Sequence, residues 1–220
     1  METRFLEASF GPDGTAATVF GEPGAVAVDQ STGNLYVGQP FEGDIEKFDA
    51  AHEPEPFMGI DTAVVEGQLT GFGSPPLPGQ IAADPATHDI YFTAGSAVRA
   101  YESDGEPANF TTGPGKGTNE IATSEACGVA VDPAGDIYVT EHSTGVRVFA
   151  PSGEPLTSFE VAGVCNIAVD AKGTVYVTGD PNPADSESSG PVQKFTASTT
   201  PPVTTSTTYE ANGAVDETPS

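Results

Sequence analysis

An all-β chain built from four copies of one antiparallel meander is the fold this sequence predicts, and three observations predict it. The first is a pattern. From Cys127 to Pro151 the chain reads CGVAVDPAGDIYVTEHSTGVRVFAP. A small apolar run ends at Asp132, a Gly-containing turn follows, and Asp136–Val139 begins a second run. A polar hinge over Glu141–Gly145 then leads into Val146–Phe149. Three short strand-like runs separated by turn signals make a meander of antiparallel strands. The second observation is recurrence. The run-ending aspartates stand at 29, 84, 132 and 170, so the steps are 55, 48 and 38 residues, and periods near that size point to propeller blades. The third is composition: 26 Gly, 20 Pro and no Trp suit an all-β chain rich in turns. No window carries a sustained helical period of apolar residues, so almost no helix is expected. The predicted fold is a β-propeller of four-stranded antiparallel blades, four of them present, as a whole ring or as an arc of a larger one.

Taken in order, residues 4–10 (RFLEASF) alternate as one strand, and Gly11–Gly14 breaks it. The first blade spans about 24–60: Ala25–Val28, Asn34–Val37, Ile45–Phe48, and an outer strand expected at Pro54–Met58. The second spans about 80–112: Ile81–Ala83, Asp89–Phe92, Val98–Tyr101, with Asn109–Thr111 as a weak outer strand. The third, 127–161, closes with Leu156–Phe159. The fourth, 165–197, has Cys165–Val169, Thr174–Val177 and Val192–Phe195, interrupted by a polar insertion at 180–190. It shows no outer strand of its own, and strand 4–10 is positioned to donate one, which would protect an otherwise unpaired edge. The unit thus spans 1–197. Residues 198–220 read as a Thr/Pro-rich linker and the start of a further module.

The charge balance narrows the partners. Acidic residues outnumber basic ones 32 to 7, a formal charge of −25. Such a field repels nucleic-acid backbones and anionic lipid surfaces, whose recognition relies on Lys and Arg, and it attracts cations or basic partners. No nucleic-acid partner is expected, and no run is long enough to insert in a membrane. The residues Met1–Phe5 lack the basic and apolar regions of a signal peptide.

The repeats GAVAVDQSTGNLYV…IEKFD, QIAADPATHDIYF…VRAYE, CGVAVDPAGDIYV…VRVFAPSG and CNIAVDAKGTVYV…VQKF resemble NHL repeats. These form a β-propeller family related to the lactonase and lyase propellers. The resemblance covers about residues 24–197. It implies a binding platform, a sensor domain or, in a few members, an enzyme; with a Thr/Pro stretch following, it implies an extracellular or cell-surface setting within a longer chain. Fold alone does not decide among these.

Asp29, Asp84, Asp132 and Asp170 sit at strand ends before tight turns, where a carboxylate accepts backbone N–H bonds and fixes the hairpin. That role is the expectation for them rather than calcium binding. Tyr36, Tyr91, Tyr138 and Tyr176, like Phe48, Tyr101, Phe149 and Phe195, recur at strand positions suited to packing between blades. His52 and His88 fall in turns. Glu141–His142 lies where a second strand ends and is the one pair placed to reach a face of the disc, but no acid–base partner accompanies it. No residue is assigned a catalytic, cofactor-binding or metal-ligating role, and no cofactor is expected. Cys127 and Cys165 each stand five residues before a repeat Asp, so they occupy equivalent places on adjacent inner strands. They are the candidate disulfide, with free thiols as the alternative. The expected function is that of a non-catalytic binding or scaffold module. It would recognise a protein or glycan through loops on one face, the candidates being 61–79, 111–126 and 180–190. The alternatives are a propeller lyase or lactonase with a divalent metal in the channel, and a purely structural repeat.

Overall fold

The computed structural model describes residues 10–14, 20–59, 64–65, 68–70, 79–161, 163–179, 192–196, 207–209 and 215–216. Among them there is no helix, and the strands form four antiparallel sheets arranged as a four-blade β-propeller. Blade one contains β1 (Ala25–Val28), β2 (Leu35–Gln39), β3 (Asp44–Phe48), β4 (Val64–Val65) and β5 (Gln68–Leu69), in the spatial order β1-β2-β3-β5-β4. Blade two contains β6 (Ile81–Ala83), β7 (Ile90–Thr93), β8 (Ala97–Tyr101) and β9 (Glu120–Ala122). Blade three contains β10 (Ala126–Val131), β11 (Ile137–Glu141), β12 (Gly145–Phe149) and β13 (Pro155–Phe159). Blade four contains β14 (Val164–Val169), β15 (Val175–Gly179), β16 (Val192–Phe195), β17 (Thr207–Tyr209) and β18 (Val215–Asp216).

The hairpin between the first and second strands of each blade is built by its repeat aspartate. Asp29, Asp84, Asp132 and Asp170 accept, through Oδ1, the backbone N–H two residues on, at 2.9, 2.7, 2.9 and 2.8 Å. Asp132 accepts a second from Asp136 N at 3.0 Å, and its Oδ2 accepts from the Tyr138 hydroxyl at 3.2 Å. These are Asx turns, in which the carboxylate does the work of a backbone carbonyl. Asp132→Ala should therefore lower stability by about 1 kcal/mol by removing three part-buried hydrogen bonds, while Asp132→Asn, which keeps the acceptor, should cost far less. Urea unfolding of both variants checks this; equal losses would sink it.

Each seam between successive blades holds its own apolar core. Tyr36, Ile45, Phe57, Ile90, Phe92 and Tyr101 fill the first. Tyr91, Val98, Phe110, Ile121, Ile137 and Phe149 fill the second. Val146, Val148, Ile167, Val175, Val177 and Phe195 fill the third. Among the described residues no such cluster joins blade four to blade one. The outward face of blade one leaves Val26 and Val28 66% and 42% exposed. Farther out on that face Phe48 is covered by the rings of Phe10 and Phe20, with centroids at 5.2 and 5.8 Å.

The outer strands depart from the sequence expectation in two blades. Pro54 and Pro107 make only single bridges, to Phe48 and Tyr101, and the chain then leaves the sheet. The strands that complete those blades, β5 and β9, lie in stretches expected to be connectors. Outer strand β13 is where it was expected. In blade four, β16 pairs with β17, inside the Thr/Pro-rich stretch. Of the strand expected at 4–10 only Phe10 belongs to the described residues, and it packs on blade one.

Candidate functional site

The inner strands succeed one another around the axis as β1, β6, β10 and β14. Near the axis Gln80 ties three blades together. Its Oε1 accepts from Val129 N at 3.1 Å and its Nε2 donates to the Ile167 carbonyl at 3.0 Å. Beside it, Thr140 Oγ1 donates to the Cys165 carbonyl at 2.8 Å. A Cβ on Gly128 would collide with that same carbonyl, so only glycine lets β14 come this close.

Cys127 and Cys165 stand at this contact. Each is the unpaired residue of a β-bulge: the register slips between Ala126 and Gly128 in β10, and between Val164 and Asn166 in β14. A bulge re-aims a side chain that regular pleating would send elsewhere. Here two matched bulges turn both sulfurs into the seam between blades three and four. Their Cα atoms are 5.0 Å apart, inside the span a disulfide bridges. The imidazole Nδ1 of His142 lies 4.0 Å from Cys165 Sγ.

The second-to-third-strand hairpins and the starts of the inner strands share one face of the disc. Glu141 and His142 are on it but do not converge. Glu141 is buried, accepting from Arg147 Nη1 at 3.0 Å, Thr144 Oγ1 at 2.6 Å and Ser124 N at 3.3 Å. Burial acts to raise its pKa, and the hydrogen bonds from Thr144, Arg147 and Ser124 outweigh it and hold the carboxyl below its ordinary range. Arg147 also lies over the Phe149 ring at 4.7 Å. Hydrogen bonds tie this cluster together, with Thr144 exposed and Arg147 half-buried. What the face displays outward is Phe41, 79% exposed, with the exposed carboxylates Glu42, Glu125 and Glu160.

On blade one the same face carries a buried polar knot. Gln39 accepts from Gly21 N at 3.0 Å and donates to Asp44 Oδ1 at 3.1 Å and Glu46 Oε1 at 3.0 Å. Gln68 Nε2 donates to the same Glu46 oxygen at 3.0 Å. Burial, then Asp44 and Glu42, push Glu46 up to about 7 against the pull of Gln68 and Gln39. Burial likewise raises Asp44.

The remaining histidines sit in turns on the opposite face, each in place of a repeat glycine. The position two residues before the second strand has positive φ in every blade: Gly33, His88, Gly135 and Gly173, at 81, 67, 84 and 75°. Left-handed backbone is uncommon outside glycine, though enriched for His. His88 is held there by the preceding blade, its Nδ1 2.8 Å from the buried Asp29 Oδ2 and 3.2 Å from Ser31 Oγ. Although burial opposes it, hydrogen bonding from Ser31, Thr32 and His88 brings Asp29 down to about 2. His52 matches Gly105 and Gly153, all with positive φ, and stacks on Phe10 at 4.7 Å.

Among the described residues no group of three or more His, Cys, Asp or Glu is placed to hold a metal ion, and no helix is long and apolar enough to cross a membrane. Two of the candidate contact loops are partly strand: 61–79 contains β4 and β5, and 111–126 contains β9. Their outer strands are two or three residues long, too short to show alternation in sequence. The insertion 180–190 lies outside the described residues. Sequence reasoning missed Gln80 and Gly128; a lone Gln before an inner strand and a Gly within one were the available signals.

Compared by sequence, the chain matches no protein-family profile and no curated protein. Compared by structure, it is similar to Kuenenia stuttgartiensis hydrazine synthase, with TM-score 0.55 and 15% identity over 79% of this chain and 46% of that one. It is also similar to a streptogramin B lyase, with TM-score 0.53 and 13% identity over 90% of this chain and 68% of that one. The chain spans less than half the length of the hydrazine synthase chain it matches. At such identities the likeness shows the fold and nothing finer. The chain has the β-propeller fold.

Proposed function

We propose that this chain is an NHL-type propeller acting as a non-catalytic binding or scaffold module that recognises a protein or glycan through the hairpin face. The observation that supports this most is what that face offers a partner. Phe41 stands 79% exposed beside Glu42, with Glu125 and Glu160 farther along. Of the buried titratable groups on this face, Glu141 is bound to Arg147, and Asp44 and Glu46 are held by Gln39 and Gln68. An exposed ring stacks on a sugar face or an apolar side chain, and the carboxylates favour basic groups. The setting we propose is extracellular or at a cell surface within a longer chain, with Cys127 and Cys165 joined as a disulfide, the state expected in an oxidising compartment.

Screening against a glycan array and a displayed peptide library tests this, with Phe41→Ala and Glu42→Lys run in parallel. Ligands that bind the parent chain, weaken about tenfold in the variants and weaken further with salt are the expected result. Ligands indifferent to both variants would overturn the face assignment. A thermal melt after chelation, then in Ca²⁺ or Zn²⁺, addresses the lyase alternative. An unchanged midpoint is expected, whereas saturable stabilisation by one ion would favour a metal site.

A further inference from the structure

The three seams are not filled alike. In blades one and two the chain leaves the sheet after its bridging proline, and the phenylalanine three residues on enters the cleft towards the next blade. Phe57 does so after Pro54, and Phe110 after Pro107. Both rings are buried, at 2% and 4% exposure. Each segment is fastened to a turn of the following blade. Gly59 N donates to the Asp104 carbonyl at 2.6 Å, and Thr111 N and Thr112 N donate to the Ser152 carbonyl at 3.0 and 2.9 Å.

Blade three keeps the proline and loses the ring. Pro155 pairs with Phe149 as Pro54 does with Phe48, but the residue three on is Ser158, which is exposed. The chain runs straight into β13, and among the described residues no such segment crosses to blade four. A cavity of about 210 Å³ remains between the two blades, on the face of the Asx turns. Five of its wall residues are the repeat counterparts of residues in the Phe57 core or beside its ring. Tyr138 stands for Tyr36, Val148 for Lys47, Phe159 for Leu69, Val175 for Ile90 and Phe195 for Tyr101. The Phe159 ring, 4.9 Å from that of Phe195, takes part of the space, and Leu156 at the rim is 51% exposed. An apolar cavity of about 150 Å³ is enough to admit a benzene ring.

We propose that this cleft is a binding site for a phenylalanine side chain of a partner polypeptide, presented as Pro-x-x-Phe, the ring standing where Phe57 and Phe110 stand in the other two seams. The site lies on the face opposite the second-to-third-strand hairpins, so it is additional to the binding surface proposed above. Partner recognition here copies an intramolecular contact the chain makes twice.

The probes are peptides with the chain's own plug sequences, Pro-Glu-Pro-Phe-Met-Gly and Pro-Ala-Asn-Phe-Thr-Thr, titrated into the intact protein and followed by NMR. The expected result is saturable shifts at Tyr138, Val148 and Val175. Replacing the peptide Phe by Ala should weaken binding by about tenfold or more, the scale set by burying one such ring. Thr157→Trp, which fills the cleft from its own wall, should abolish binding. Leu156→Ala, a rim change that cannot threaten the core, should weaken it several-fold and keeps the test decisive if Thr157→Trp does not fold. Shifts of equal size with the Ala peptide, shifts confined to other seams, or binding untouched by Leu156→Ala would overturn the proposal. None of those results bears on Phe41 and the hairpin face, so the two assignments fail separately.

Discussion

Reducing the Cys127–Cys165 pair should lower the unfolding free energy by about 4 kcal/mol, the loop-closure value for a cross-link spanning 38 residues. The closed loop contains all of β11, β12 and β13, so the bond staples the whole of blade three between the inner strands of blades three and four. Opening it returns that loop's entropy to the unfolded chain and leaves the third seam with its apolar core and the hydrogen bonds of Thr140 and Gln80. For a chain of this size the loss corresponds to a fall in melting midpoint of about 10 °C. The check is a pair of melts, with and without a phosphine reductant, repeated on Cys127→Ala/Cys165→Ala. Reductant should shift the parent and leave the double variant unmoved. Iodoacetamide should label neither cysteine until reductant is added. Equal midpoints in both melts, or immediate labelling, would mean the sulfurs are free thiols and the stabilisation lies elsewhere.

The adjacency of these cysteines, 5.0 Å apart at Cα, was legible because repeat phase alone puts them on equivalent inner-strand positions. The matched bulges that aim them were not, since nothing in CGVAVD or CNIAVD marks an extra residue. The three inner strands of every blade were equally legible: Asp, turn and Ile/Leu/Val–Tyr recur with only small shifts, and the Asx geometry follows from the aspartate itself. The outer strands of blades one and two were misplaced for a physical reason. Pro54–Met58 and Asn109–Thr111 carry the Phe that an outer strand would want, but that Phe points along the disc into the next seam. The true strands, Gln68–Leu69 and Glu120–Ala122, have too few residues to signal anything. His52 and His88 were correctly read as turn residues. Their partners, Phe10 and Asp29, are long-range contacts that no local pattern encodes.

Glu46→Gln should stabilise the protein by about 2–3 kcal/mol at pH 8 and leave it nearly unchanged at pH 4. Burial, Asp44 and Glu42 raise the Glu46 carboxyl from 4.5 to about 7 in the folded chain. Between those values the folded state keeps a proton that the unfolded chain has released. Stability therefore falls as pH rises from 4.5 to 7, and the deficit stays constant above 7. Glutamine keeps the oxygen that Gln39 and Gln68 bond and removes the charge that opposes burial. Asp29 does not interfere in this window. Hydrogen bonding from Ser31, Thr32 and His88 outweighs its burial and brings it to about 2, so its contribution is complete above its ordinary value and is lost only in stronger acid. Asp89, which burial raises to about 6 with Glu102 and Asp84 adding to it, titrates in the same direction as Glu46, so the variant's pH profile should flatten without becoming level. Urea unfolding of parent and variant at pH 4, 6 and 8 separates the outcomes. Curves that converge at low pH and part above pH 6 place the charge cost on Glu46. Parallel curves would show that the Gln39–Glu46–Gln68 knot solvates the carboxylate fully, and that the acidity of this face costs the fold nothing.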